Sequence, residues 1–209
     1  MDYLKLIRYP NLLIVALTQF IIWVRIPVVF NSPEDWFHSG TDQFVLLGIG
    51  TMLITAAGYV INDIVDIKID ELNKPEKQYI NKSISIRSGW IYYTVLNILA
   101  LLSISFLENN QFFLSFFALG ILMLATYSYF LKKLPLIGNI AVAVFSSMVI
   151  GEMMILECYT FPELASYSCF ENATLYFYMI YILFSFLTSF MREIVKDIED
   201  IVGDRLEAA

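Results

Sequence analysis

Six apolar runs of spanning length constrain this chain more than any other feature: Asn11 to Phe30, Gln43 to Ile61, Gly89 to Leu107, Gln111 to Leu131, Leu136 to Leu156 and Ala173 to about Val195. A helix needs about 20 mainly apolar residues to cross a hydrocarbon core. Charged residues make up 16% of the chain, against about 25% in an ordinary soluble domain, and most of them fall in the gaps between runs. This pattern predicts an all-α, multi-pass transmembrane helical bundle in the lipid bilayer. A soluble helical domain has no need of such runs. A net charge of −7 argues against nucleic acid as a partner.

The gaps also set an orientation. The N-terminus, the stretch after the second run, the turn after the fourth and the C-terminal segment are separated by even numbers of crossings, so they share one side. That side holds every Lys and Arg except Arg25. The positive-inside rule makes it cytoplasmic, and the chain is expected in the cell (inner) membrane. Arg25 lies near the far end of the first run, within snorkelling reach of the interface. That run is too long for the apolar core of a cleavable signal and lacks a small-residue cleavage site, so it is expected to remain as an anchor. On the opposite side, His38 is read as solvated, and Cys158 and Cys169 flank one loop in which a disulfide and two free thiols both stay open.

Two cytoplasmic stretches carry the chemistry. Each leaves an apolar run and places three aspartates at offsets 0, 3 and 7: Asp63, Asp66 and Asp70, then Asp197, Asp200 and Asp204. On a helix that spacing puts each trio on one stripe. Like charges there repel by a few tenths of a kcal/mol per pair, roughly, so something positive should offset them. Carboxylate oxygens suit Mg²⁺, which draws its remaining ligands from water and substrate phosphates. The plainer alternative is a pair of solvated acidic loops. Pro75 should end the first motif helix at about Lys74, and Gly48, Gly50, Ala56, Ala57 and Gly58 should let the second run pack closely against its neighbours.

The expected substrate is a polyprenyl diphosphate, its head held by metal at Asp66 and Asp70 on one side and at Asp197, Asp200 and Asp204 on the other. Magnesium would ease loss of diphosphate from the allylic carbon. Lys68, Lys74, Arg192 and Lys196 could add charge around the same oxygens, or simply anchor their helices at the membrane surface. Tyr59, Tyr127 and Tyr129 offer aromatic faces to an allylic cation, although packing is the commoner duty for a tyrosine. Asn62, four residues before Asp66, could bond a phosphate or the metal. Asn139 enters the fifth run as a polar group that should face the interior. Glu152 lies deeper in that run, facing a cavity or the far surface.

These residues resemble a known family. Asn62-Asp63-x-x-Asp66-x-x-x-Asp70 followed by Asn73-Lys74-Pro75 is similar to the first signature of the UbiA superfamily of intramembrane prenyltransferases, and Asp197-Ile-Glu199-Asp200-x-x-Gly203-Asp204 to the second. Arg8-Tyr9-Pro10-Asn11, Tyr127-Ser-Tyr129 and Leu136-Ile-Gly138-Asn139 sit where the family carries similar runs. The resemblance implies that Asn62, Asp66, Asp70, Asp197, Asp200 and Asp204 bind Mg²⁺ and diphosphate and that Lys74 contacts phosphate. Tyr59, Asp63, Tyr127, Asn139, Arg192 and Lys196 are expected on the substrate-binding side. Residues 1–209 would form one intramembrane prenyltransferase domain.

The form from Arg192 to Asp204 is most similar to the branch that transfers geranylgeranyl to the lipophilic acceptor geranylgeranylglyceryl phosphate. Aromatic acceptors of quinone synthesis stay open beside it, as does a non-catalytic, cation-binding membrane protein. Family members usually have nine transmembrane helices and this chain has about six, so a C-terminally shortened chain is expected.

Overall fold

A computed structural model describes residues 2–30, 41–73, 78–108, 110–134, 136–160 and 173–207, with the backbone alone described at 25–30, 72–73, 160 and 199–207. Lys74 and Cys169 lie outside the described residues, and Arg25, Asp200 and Asp204 outside the described side chains. The elements are α1 (Asp2–Leu6), α2 (Tyr9–Phe30), α3 (Thr41–Val65), α4 (Ile67–Asn73), α5 (Ile86–Ser105), α6 (Asn110–Tyr129), a 3-10 turn at Leu131–Lys133, α7 (Ile137–Thr160) and α8 (Ala173–Glu207). Among the described residues, five helices are long and apolar enough to cross a membrane: α3, α5, α6 with its following turn, α7, and α8 as far as Ile198. The remaining expected run, Asn11 to Phe30, is helical as α2, and its described apolar stretch is Tyr9–Val24. The expected all-α multi-pass bundle is what the chain forms, and the protein is an integral membrane protein.

Two compact units divide the chain, Met1–Tyr129 and Phe130–Ala209. In the first, α3 packs against α2, α5 and α6. Small residues make this possible, as expected. A β-carbon on Gly50 would lie 2.7 Å from Ile104 Cδ1, and one on Gly58 would lie 3.3 Å from Leu124 Cδ2. Ala56 and Ala57 are buried as well.

Polar groups tie the helices where lipid offers them no water. The Gln19 amide of α2 donates to Thr51 Oγ1 of α3 at 3.2 Å, and Ser103 Oγ of α5 donates to the Leu46 carbonyl at 2.7 Å. Outward-facing Leu13, Ile14 and Leu17 on α2, and Ile98 and Leu102 on α5, stay exposed. Such a surface fits lipid and is costly in water.

At the motif end of this unit the chain builds a local core. Leu6 is completely buried and packs with Ala56, Val60, Ile64, Ile80, Ile84 and Leu96. Ile80 and Ile84 reach it through a tight turn whose Asn81 has φ 68, a conformation asparagine tolerates better than most residues. Ser85 then caps α5, its Oγ accepting from the Ser88 amide at 3.1 Å.

The second unit is a hairpin of α7 and α8. Three serines join them: Ser189 Oγ donates to Ser146 Oγ at 2.7 Å, and Ser146 lies 3.2 Å from Ser185 Oγ. Gly138, at the start of α7, fits against the preceding 3-10 turn, where a β-carbon would approach the Leu131 carbonyl oxygen to 3.1 Å. Glu152 is buried within α7.

Candidate active site: the two aspartate motifs

The first motif spans the end of α3 and all of α4. Asp66 falls in a turn between the two helices, so the motif is not one unbroken helix as expected. Its backbone hydrogen bonds nevertheless run through the join: the Asp66 amide donates to the Asn62 carbonyl at 2.9 Å, and the Asp70 amide to the Asp66 carbonyl at 2.8 Å. The i, i+4 relation among Asn62, Asp66 and Asp70 is therefore kept. The helix is described as far as Asn73, and Lys74, its expected end, lies outside the described residues.

The side chains of this motif are sorted rather than equivalent. Asn62 Nδ2 donates to Asp66 Oδ2 at 3.0 Å. Asp63, 15% exposed, accepts from Arg8 Nη2 at 3.1 Å. The same guanidinium lies over the Tyr59 ring, 4.8 Å from its centre, and Asn11 Nδ2 donates to the Tyr59 hydroxyl at 3.2 Å. Thus Tyr59 and Asp63, two expected substrate-side residues, are joined through Arg8. Asp70 is half-buried on α4 beside exposed Lys68. An amide and carboxylates form an all-oxygen donor set that suits a hard cation. Among the described residues, no three acidic, histidine or cysteine side chains already converge as a metal-binding group.

The second motif continues α8 out of its apolar part without a break. Asn139 Nδ2 donates to Asp197 Oδ2 at 2.8 Å, which brings together two expected site residues across the α7–α8 hairpin. Arg192 and Lys196 both approach Glu193, at 3.2 and 3.6 Å. Glu193 is buried while the two cations are largely exposed, so the carboxylate fixes where their charge starts from. Tyr127 is half-buried and Tyr129 exposed near the end of α6.

Sequence reasoning passed over Arg8, Asn11 and Glu193 as working residues. Arg8 and Asn11 lie in a run that had been noted only for its family likeness, and Glu193 lies between two cations that were weighed singly. The partners of Arg8 and Asn11 are not visible from spacing, because Asp63 and Tyr59 lie 55 and 48 residues away, whereas Glu193 stands at helical spacing from Lys196.

Known proteins bear on this geometry. A digeranylgeranylglyceryl phosphate synthase of Sulfolobus acidocaldarius is 34% identical over 203 residues, 97% of this chain and 65% of the relative. The synthase of the same name from Methanobrevibacter smithii is 30% identical, over 99% of this chain and 66% of its own length. A solved structure, described as giving structural and mechanistic insights into the biosynthesis of digeranylgeranylglyceryl phosphate synthase in membranes, superposes with a TM-score of 0.70 at 26% identity. It is covered over 65% of its length by 99% of this chain. The chain therefore spans about two-thirds of the length of the relatives it matches. The UbiA prenyltransferase family model matches residues 20–208, and the chain belongs to that family.

Proposed function

We propose that this protein takes part in the magnesium-dependent transfer of a geranylgeranyl group from its diphosphate to the hydroxyl of geranylgeranylglyceryl phosphate. The Asn62–Asp66 bond, at the point where α3 leaves its apolar stretch, is the observation that carries this reading. It sets an amide and a carboxylate side by side at the boundary where an amphipathic diphosphate would present its head. Two relatives bearing the synthase's name, matched over nearly the whole of this chain, support the choice of acceptor.

In this reading Asn62, Asp66, Asp70, Asp197, Asp200 and Asp204 are the oxygen ligands. Magnesium held by these oxygens would supply positive charge to the diphosphate leaving group. The allylic C–O bond breaks with its electrons going to diphosphate. The acceptor oxygen then bonds to the carbon and loses its proton to solvent. Lys74, Arg192 and Lys196 offset phosphate charge. Tyr59 and Tyr127 present aromatic faces to the cation. Asn139 orders Asp197, and Asp63 serves the substrate side through the network it anchors. Both units belong to one prenyltransferase domain, with the motifs facing the cytoplasm across the cell membrane.

The test is reconstitution of the chain in liposomes with Mg²⁺, geranylgeranyl diphosphate and geranylgeranylglyceryl phosphate, followed by mass spectrometry. The expected product is the doubly prenylated glyceryl phosphate, absent with Asp66→Ala. Prenylation of an aromatic acceptor in its place would refute the acceptor assigned here, and metal binding with no donor dependence would refute the enzyme.

A further inference from the structure

The join between α1 and α2 places Arg8 at φ 52, a left-handed conformation that a residue with a β-carbon adopts when its surroundings hold it there. Those surroundings are visible on both sides. Leu6, two residues earlier, is locked into the core with Val60 and Ile64. The Asn11 and Leu12 amides both donate to the Arg8 carbonyl, at 2.8 and 3.4 Å. The strained turn aims one guanidinium at two targets a helical turn apart on α3: it bonds Asp63 and covers the Tyr59 ring. Asn11, on the next turn of α2, holds the far end of that ring through its hydroxyl.

Three carboxylates on one stripe would compete for the same cation. Here they have been told apart: Asp63 has an arginine, Asp66 has the Asn62 amide, and Asp70 lies beyond the join. We propose that Arg8 is a positioning residue that neutralises Asp63, keeps it out of the metal-binding set and pins the Tyr59 ring. Asn62, Asp66 and Asp70 are thereby left to receive the magnesium diphosphate. This inference rests on the function proposed above. Its consequence has two opposite signs. Without Arg8, the freed Asp63 carboxylate draws Mg²⁺ but repels the anionic donor. A residue that only stapled α2 to α3 would weaken both interactions together.

The experiment uses the full chain in detergent, titrated calorimetrically with Mg²⁺ alone and then, in saturating Mg²⁺, with geranylgeranyl diphosphate. Arg8→Ala is expected to bind Mg²⁺ several-fold more tightly and the donor about tenfold more weakly. Adding Asp63→Asn to Arg8→Ala should return Mg²⁺ affinity to the wild-type value. Arg8→Lys, which keeps the charge but loses the planar fork, should stay within about threefold of wild type for Mg²⁺. If Arg8→Ala does not fold, Arg8→Gln keeps the length over Tyr59 without the charge and carries the same two expected shifts. Weakening of both affinities, or no return on adding Asp63→Asn, overturns the proposal. A wild-type chain that binds Mg²⁺ but no donor sinks the proposed function instead, and the Mg²⁺ titrations still decide what Arg8 does to Asp63.

Discussion

Asn139 donates its side-chain amide to the Asp197 carboxylate at 2.8 Å, linking the first turn of α7 to the part of α8 that carries the second aspartate motif. The bond fixes the torsion of a carboxylate that would otherwise swing freely at the end of an exposed helix. It depends on Gly138, whose missing β-carbon lets α7 start tight against the Leu131–Lys133 turn.

Asn139→Ala should therefore lower turnover by roughly 10–100-fold, the range expected for losing a hydrogen bond to a charged group. Asn139→Asp should be worse, because it sets a second carboxylate against Asp197. Steady-state kinetics of the two variants beside wild type, with helical content checked by circular dichroism, gives the order. A harmless Asn139→Asp would show that the bond has no bearing on the reaction.

Asp66→Ala removes one of the oxygen ligands proposed for the metal and the acceptor of the Asn62 bond at once. Product formation should fall at least about 10²-fold, the usual cost of losing one group that stabilises developing charge. Chelation with EDTA should abolish turnover in the wild type, and Mg²⁺ should restore it. Asp200→Ala should match Asp66→Ala. Liquid chromatography with mass spectrometry of the reaction lipids measures all four.

Much of this was legible beforehand because lipid enforces simple rules. Spanning length, segregated charge and small residues in the second run gave the helices, and five of six expected runs are long, apolar helices. Repetition of an aspartate offset pointed to both motifs and hence to the family. What spacing could not convey is partnership over long sequence separations. Asn139 was expected to face the interior, yet its partner Asp197 is 58 residues away. The contacts of Arg192 and Lys196 with Glu193 are a different case, local and at helical spacing; spacing alone leaves open whether each cation serves a phosphate or this neighbouring carboxylate. The turn at Asp66 was also hidden, since its hydrogen bonds keep the helical spacing on which the motif reading relied.

Gly50 gives a packing prediction independent of the chemistry. Its Cα lies where a β-carbon would meet Ile104 at 2.7 Å and Phe117 at 3.2 Å, both of them buried. Gly50→Leu must push α5 and α6 away from α3, at a cost of about 1–3 kcal/mol or more. Thermal unfolding in detergent should show a lower Tm for Gly50→Leu than for Leu13→Ala, which alters only an exposed position on α2. Equal melting temperatures would mean that the α3–α5 contact does not hold this unit together.

The orientation inferred from charge can be read directly. Glu108 lies in the turn between α5 and α6, its backbone amide bonded to Gln43 Oε1 at 2.8 Å, so Gln43 and Glu108 share one end of the first unit. Lys82 lies in the exposed turn that precedes α5, at the other end of that helix. With Cys158 and Cys169 replaced by serine, a cysteine at Glu108 should react with an impermeant maleimide added to intact cells, because the loops at that end carry no Lys or Arg to hold them inside. A cysteine at Lys82 should react only after the membrane is opened. The reverse pattern would place both aspartate motifs on the outer face, away from the cytoplasmic supply of Mg²⁺ and diphosphates, and the proposed reaction would lose its donor.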